Sequence, residues 1–325
     1  MKKLVLVSLI LAVMVVALGA FTRLTDAGLG CPDWPGCYGF LSVPKHEVHI
    51  EQAEQAFPER PFEAHKAWNE MIHRYFAGAL GLLILIIALR SMFERQPNRP
   101  KKLPLVLLCL VIFQALLGMW TVTMKLQPVV VMGHLLGGFT VLSCLFLLYL
   151  RLTEYRIPGG DANLRPLARY GILGMLIVIL QIALGGWVSA NYAALACTQM
   201  PVCEGDWAQK LDFAGAYSIG EAHNYEYGTH SYPERMTMHV AHRFGALFTF
   251  LYLCWFAIRL YSKASSALFR KLAIILVLVL GLQVALGVSN VVFSLPLWVA
   301  VSHNLVGACL LLVMVMINYS LFRKT

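Results

Sequence analysis

Eight apolar stretches, at 4–21, 69–90, 104–123, 129–150, 168–188, 236–258, 272–293 and 297–320, decide most of what this chain can fold into. Each is close to the run of about 20 apolar residues that crosses the hydrocarbon of a bilayer as a helix. Inside that hydrocarbon every backbone N–H and C=O must find a partner within the protein, and a helix supplies one for each residue. The composition agrees, with 59% hydrophobic and only 13% charged residues. The expectation is an all-α integral membrane protein with eight transmembrane helices and both termini on one side.

The net charge of +9 is a topology signal. Seventeen of the 26 Lys and Arg residues fall in the tails and the short loops on the side of the termini. The other side, with the two long loops at about 22–68 and 189–235, holds the remaining nine, six of them in those loops. By the positive-inside rule both termini are cytoplasmic and the long loops face outward. A charge distributed this way is not a nucleic-acid footprint. Residues 1–20 also fit a cleaved signal peptide, with "MKK", an apolar run and "ALGA". The internal repeat argues that this segment is retained.

"GAFTRLTDAGLGCPDWPGC" (19–37) aligns with "GGWVSANYAALACTQMPVC" (185–203) at an offset of 166. "IHRYFAGAL" (72–80) pairs with "AHRFGALF" (241–248), and "QALLGMWTV" (114–122) with "QVALGVSNV" (283–291), so that His73 and Gln114 recur at an offset of 169. His134 and His303 keep the same offset. One offset shared by histidines and Gln-x-x-Leu-Gly motifs, and one within three residues of it for the Cys-x5-Cys loops, implies duplication. The expected halves are 1–155 and 156–325, two tandem four-helix bundles. With an even number of spans each, they should be related by a pseudo-twofold axis along the membrane normal. The first span must then persist as the partner of the fifth.

Of the ten histidines, His46, His49, His65, His223 and His230 lie in the long loops and read as solvated. His73, His134, His242 and His303 open spans two, four, six and eight, about 8–10 Å into the bilayer at 1.5 Å per residue. Ionisable residues at such depth usually face a site. Zinc would need four ligands around one ion, whereas the duplication gives one pair per half. Copper usually recruits sulfur, and no Cys or Met keeps register with the histidines. Two neutral imidazoles on facing helices suit bis-His axial ligation of a haem. Gly78, Gly133, Gly137, Gly138, Gly245 and Gly307 would give room for the macrocycle. Arg74 and Arg243, each directly after a histidine, would pair with propionates or else anchor at the membrane surface. Both sites lie near the outer face, which disfavours electron transfer across the membrane.

The halves differ at one position of interest. Glu70, one turn before His73, becomes His239 in the second half. A carboxylate beside a haem edge can move protons or stabilise positive charge, so the first half is the candidate reacting half. Cys31/Cys37 and Cys197/Cys203 face an oxidising compartment as duplicated pairs, and two disulfides are expected. A structural lid is the main reading, and a redox-active pair or a docking point for haem stays open. Cys109, Cys144, Cys254 and Cys309 lie within spans and read as small hydrophobes.

"GLGCPDWPGC" after the first span, "EMIHR" in the second and the matching histidines of spans four, six and eight together resemble the haem A synthase family, of the bacterial type with paired outer cysteines. The resemblance covers essentially the whole chain. It implies oxidation of a ring methyl of haem O to a formyl group, giving haem A for terminal oxidases. It implies further that His73 and His134 flank the substrate haem, that Glu70 is the acid required for oxidation, and that His242 and His303 ligate a resident haem b. The disulfides would be Cys31–Cys37 and Cys197–Cys203. The implied location is the bacterial inner membrane. Partners would be the lipid bilayer, the farnesyltransferase that makes haem O, an electron-transfer partner and further copies of the chain. The competing classes are an outer-face di-haem b electron-transfer cytochrome and a haem carrier.

Overall fold

The computed structural model describes residues 1–94, 99–153 and 161–322. The expected boundary at 155/156 lies outside the described residues, as do Arg95, Arg156, Arg323 and Lys324 of the charge count. In chain order the α-helices are α1 (Lys2–Leu24), α2 (Glu47–Ala56), α3 (Ala64–Met92), α4 (Lys102–Thr123), α5 (Pro128–Leu152), α6 (Ala168–Ala190), α7 (Phe213–Ala216), α8 (Tyr232–Lys263), α9 (Ala267–Val292) and α10 (Leu297–Phe322). Eight of these, all but α2 and α7, are long and apolar enough to cross a membrane, and the described residues form no strand. The all-α multi-span class expected from the apolar stretches is the observed one. Large apolar side chains such as Ile10, Leu82, Leu180, Ile258 and Leu278 stay more than half exposed, as a surface solvated by lipid requires.

Two helices begin earlier than their apolar stretches. α3 starts at Ala64 rather than 69 and α8 at Tyr232 rather than 236. Their first turns are polar, so hydropathy passes over them, and at α8 the start is capped. At α8 the Ser231 side chain and Glu234 form a reciprocal capping box, with Pro233 in the first turn. His73 and His242 therefore lie about two and a half turns into their helices.

The chain divides into two compact units. The first holds residues 1–142 and 219–229, the second 143–218 and 230–325. In the first, α3 packs against both α1 and α4, and the long loop after α1 covers one end. Its core contains Cys31, Cys37, Tyr38, Val43, Ala53, Ala67 and Met71. In the second, α6 packs on α8 and α10, and α9 closes the ring by packing on both of the same helices. Two polar side chains there bond to main chain across helices. Asn318 Nδ2 donates to the Gly171 carbonyl (3.0 Å) and the Met314 carbonyl (2.9 Å), and the Tyr252 hydroxyl to the Tyr170 carbonyl (2.9 Å).

Segment 219–229 lies late in the sequence yet belongs to the first unit. Tyr225 N–H donates to the Lys125 carbonyl (3.0 Å). Arg60 grips Glu226 through two parallel bonds, at 2.5 and 2.8 Å. The Glu226 side chain is only 4% exposed and is covered by that guanidinium. The same bond holds the Arg60 pKa above its ordinary value.

Candidate functional site

Each of the four membrane histidines rests against a glycine of the preceding long helix. A Cβ on Gly19 (α1) would stand 3.0 Å from His73 Cε1, and one on Gly118 (α4) 3.1 Å from His134 Cε1. In the second unit a Cβ on Gly185 (α6) would lie 2.9 Å from His242 Cε1, and one on Gly287 (α9) 3.1 Å from His303 Cε1. Only a residue without a side chain lets the imidazole lie this close to the neighbouring backbone. In the first unit the His73 and His134 ring centroids are 6.5 Å apart, with the rings nearly perpendicular at 84°. His303 is within electrostatic reach of His242 in the second.

Glutamines complete the settings of three of the four. Gln114 Nε2 donates to the His134 carbonyl (2.7 Å) and lies 3.1 Å from His134 Nδ1. Gln181 Nε2 repeats both contacts at His242, each at 3.0 Å. Gln283 Nε2 lies 3.4 Å from His303 Nε2. The side-chain oxygens of all three amides are buried without a partner, so polar capacity remains beside the rings.

Glu70 is buried, 5% exposed, at the loop end of α3. Cys31 N–H donates to its Oε2 (2.8 Å), and Arg74 forms a short ion pair with its Oε1. The other terminal nitrogen of Arg74 faces the carbonyls of Asp33 (2.9 Å), Pro35 (3.3 Å) and Gly36 (2.5 Å). Loop, arginine and carboxylate thus form one assembly. Gly30 permits it. A Cβ there would run into the Lys66–Ala67 main chain, 2.8 Å from the Ala67 nitrogen, and push Cys31 off Glu70.

The second unit repeats the assembly without the acid. Arg243 donates to the carbonyls of Gln199 (2.7 Å) and Pro201 (3.4 Å), the positions matching Asp33 and Pro35. Its other nitrogen, with no carboxylate to meet, turns to the Cys197 carbonyl (2.8 Å). His239, in place of Glu70, is likewise buried at 5% exposed. The structure therefore sets both arginines against main-chain carbonyls of the cysteine loops.

Both expected disulfides are present, Cys31–Cys37 and Cys197–Cys203, with Cα–Cα distances of 4.7 and 4.9 Å. Both loops carry a cis X-Pro bond at matching places, Trp34–Pro35 and Met200–Pro201. Asp33 stiffens the first loop by accepting from Tyr38 N (2.6 Å) and Gly39 N (2.8 Å). Burial pushes the Tyr38 phenol up to about 12. Glu204 plays the corresponding part in the second loop, accepting from Thr198 N (2.7 Å) and from the Thr198 hydroxyl. Those bonds hold its carboxyl down at about 2. Among the loop histidines, His230 departs from the solvated expectation. Its side chain is 6% exposed and its Nδ1 lies 3.1 Å from Glu234.

The paired rings suit a haem. Two metal–nitrogen bonds of about 2.0 Å plus the depth of each ring put the centroids of two axial imidazoles roughly 6 Å apart, and His73 and His134 are set at 6.5 Å. A ring nitrogen of His73 and one of His303 are also buried without partners.

The sequence alone marks the histidines, Glu70, Arg74, Arg243 and the cysteines, but not the groups packed behind them. Gln-x-x-Leu-Gly was legible only as a repeat marker. It occurs a third time as Gln181–Gly185 and, with Val15 in place of Gln, as Val15–Gly19. Its glutamine and glycine are the parts that touch the histidines. Four of the glycines assigned to the macrocycle, Gly137, Gly138, Gly245 and Gly307, lie instead against the Gln114, Gln181 and Gln283 amides.

The fold and these settings define a class, a multi-pass all-α membrane protein with paired histidines built into its helices beneath disulfide-closed loops. Comparison with known proteins narrows it. The profile of the COX15-CtaA family, described as cytochrome oxidase assembly protein, matches residues 2–315, and the chain belongs to that family. It is 50% identical over 321 residues to the Heme A synthase of Shewanella oneidensis, covering 98% of this chain and 96% of that protein. The Heme A synthase of Chelativorans sp. is 26% identical over 309 residues (89% and 82% of the two chains). That of Mesorhizobium japonicum is 24% identical over 319 residues (92% and 84%).

Proposed function

We propose that this chain makes haem A, oxidising a ring methyl of haem O to a formyl group in its first unit. The observation that carries the reading is Glu70. It is a buried carboxylate one turn from His73, oriented by the Cys31 amide and Arg74, and His239 replaces it in the otherwise parallel setting of the second unit. Full-length similarity to a Heme A synthase supports the same conclusion.

In this reading His73 and His134 hold the substrate haem O. His242 and His303 hold a resident haem b, which supplies an electron-carrying iron. The glycine beneath each imidazole fixes ring depth, and Gln114 and Gln181 fix the rotation of His134 and His242. Glu70 accepts two hydrogen bonds and keeps lone pairs free, so it would take up the proton released as the methyl C–H electrons pass to the acceptor, or face the positive charge left on that carbon until water adds as the formyl oxygen. Arg74 ties the loop to Glu70, and the disulfide-closed loop excludes water from that side. The long loops lie on the outer face and both termini in the cytoplasm. The farnesyltransferase that makes haem O is the upstream partner, and an electron acceptor is required.

The test compares wild type with Glu70→Ala and Glu70→Gln, each expressed with a supply of haem O, by chromatography of the extracted haems. Haem A in the wild type and unconverted haem O in both variants is the expected result. Two haems b and no haem A in any sample would overturn the synthase reading in favour of a di-haem electron-transfer cytochrome.

A further inference from the structure

The setting of His73 differs from that of the other three histidines on both of its sides. Val15 stands where Gln114, Gln181 and Gln283 stand, and offers no side-chain hydrogen bond. The Val15 main chain faces the ring, as the Gln114 and Gln283 main chains face His134 and His303, but no side-chain amide stands behind His73, whose Nδ1 is buried without a hydrogen bond. The receiving helix is altered to match. The glutamine amides lie over Gly137, Gly245 and Gly307, three or four residues past their histidines, where a Cβ would strike them. At the same places after His73 stand Phe76 and Ala77. The first site thus lacks both the amide and the slot that would take it. The grading is monotonic. By glutamine side chains, His134 and His242 are held at ring and main chain, His303 at the ring alone through one 3.4 Å contact, and His73 not at all.

We propose that His73 is the exchangeable axial ligand of the substrate site and His134 the fixed one, so that haem O enters, admits an external ligand and is released as product on the His73 side. This rests on the reading that His73 and His134 hold the substrate haem. The physical ground is that groups anchoring a metal-bound histidine are worth about ten- to a hundred-fold in metal affinity, and His73 alone has none from a side chain. A resident haem between His242 and His303 has both ligands anchored and stays. A substrate haem must leave, and one unanchored ligand provides the exit. Glu70 sits on the same turn as this ligand, so the side that opens is the side that carries the acid.

The test uses the full-length protein loaded with haem O, reduced, with carbon monoxide as the probe of an open axial position. In wild type, carbon monoxide should bind one haem of the two. His73→Ala should keep haem O as a five-coordinate high-spin species, and His134→Ala should lose it. Installing the missing clamp, Val15→Gln with Phe76→Gly, should slow carbon monoxide binding at least ten-fold while haem O stays bound. Removing a clamp, Gln114→Val, should speed binding about ten-fold and lower haem retention. Unchanged carbon monoxide kinetics in the clamped variant with haem O bound would overturn the assignment, as would equal haem loss in the two histidine variants. If the clamped variant takes up no haem, unchanged kinetics in Gln114→Val would overturn it instead. If neither histidine variant changes haem O content, the substrate-site reading itself is the one that fails.

Discussion

At the scale of single residues, the glycines carry as much of the site as the ligands do. A methyl on Gly118 would meet the His134 ring at 3.1 Å, and one on Gly185 would meet His242 at 2.9 Å. Neither ring can retreat without leaving its glutamine. Gly118→Ala should therefore lower substrate-haem content about ten-fold and Gly185→Ala resident-haem content by the same factor. Separate quantification of haem O or A and haem b in each variant checks this, and loss of both haems from either one would show general misfolding instead. Gly30→Ala acts elsewhere. Its methyl strikes the α3 main chain and lifts the Cys31 amide from Glu70. The expected outcome is normal haem O content with conversion to haem A reduced at least ten-fold, read by chromatography of extracted haems.

At the scale of elements, each cysteine loop is held in two ways, by its disulfide and by the arginine after the histidine. A short disulfide ring is worth about 2 kcal/mol, whereas Arg74 binds three loop carbonyls and Glu70 together. Replacing Cys31 and Cys37 by serine should cost a few degrees of thermal stability and leave most conversion intact. Arg74→Ala should abolish conversion, because it frees the loop and strands the Glu70 charge. Parallel melting curves and haem analyses of the two variants separate these roles, and a fully inactive double-serine variant would make the disulfide the essential part. The second loop adds a pH dependence. The folded-state pKa of Glu204, about 2, lies below its ordinary 4.5. Ionised Glu204 therefore stabilises the loop at and above pH about 4.5, and that contribution fades as pH falls toward 2. Hydrogen exchange at Thr198 and Gln199 should rise over this window in wild type and be high throughout in Glu204→Gln.

At the scale of the whole molecule, segment 219–229 is tied into the first unit by a largely buried ion pair, Arg60 with Glu226, and by the Tyr225 bond to Lys125. Arg60→Ala leaves Glu226 desolvated without its partner, so it should destabilise more than Glu226→Gln. The double-mutant coupling should be about 1.5–3 kcal/mol, the range of hydrogen bonds to charged groups. Thermal unfolding of the two singles and the double measures it. Limited proteolysis should cut within 219–229 in Arg60→Ala and spare it in wild type. Coupling near zero would mean that Tyr225 and its bond to Lys125 hold the segment alone.

The sequence by itself determined the eight spans, because hydrocarbon leaves a backbone no alternative to the helix. It also marked His73, His134, His242, His303 and Glu70, because ionisable groups within apolar stretches stand out against their neighbours. Hydropathy missed the polar first turns of α3 and α8, the second of which is set by its capping box. The tertiary structure alone decided what lies behind each histidine. Gln114 is 20 residues from His134 and Gln181 is 61 residues from His242, so no local pattern links either pair. It alone also placed Arg74 and Arg243 on loop carbonyls and brought Glu226 to Arg60 across 166 residues. A side chain's own chemistry can be read from its place in the chain, but its partner is chosen by how the helices pack.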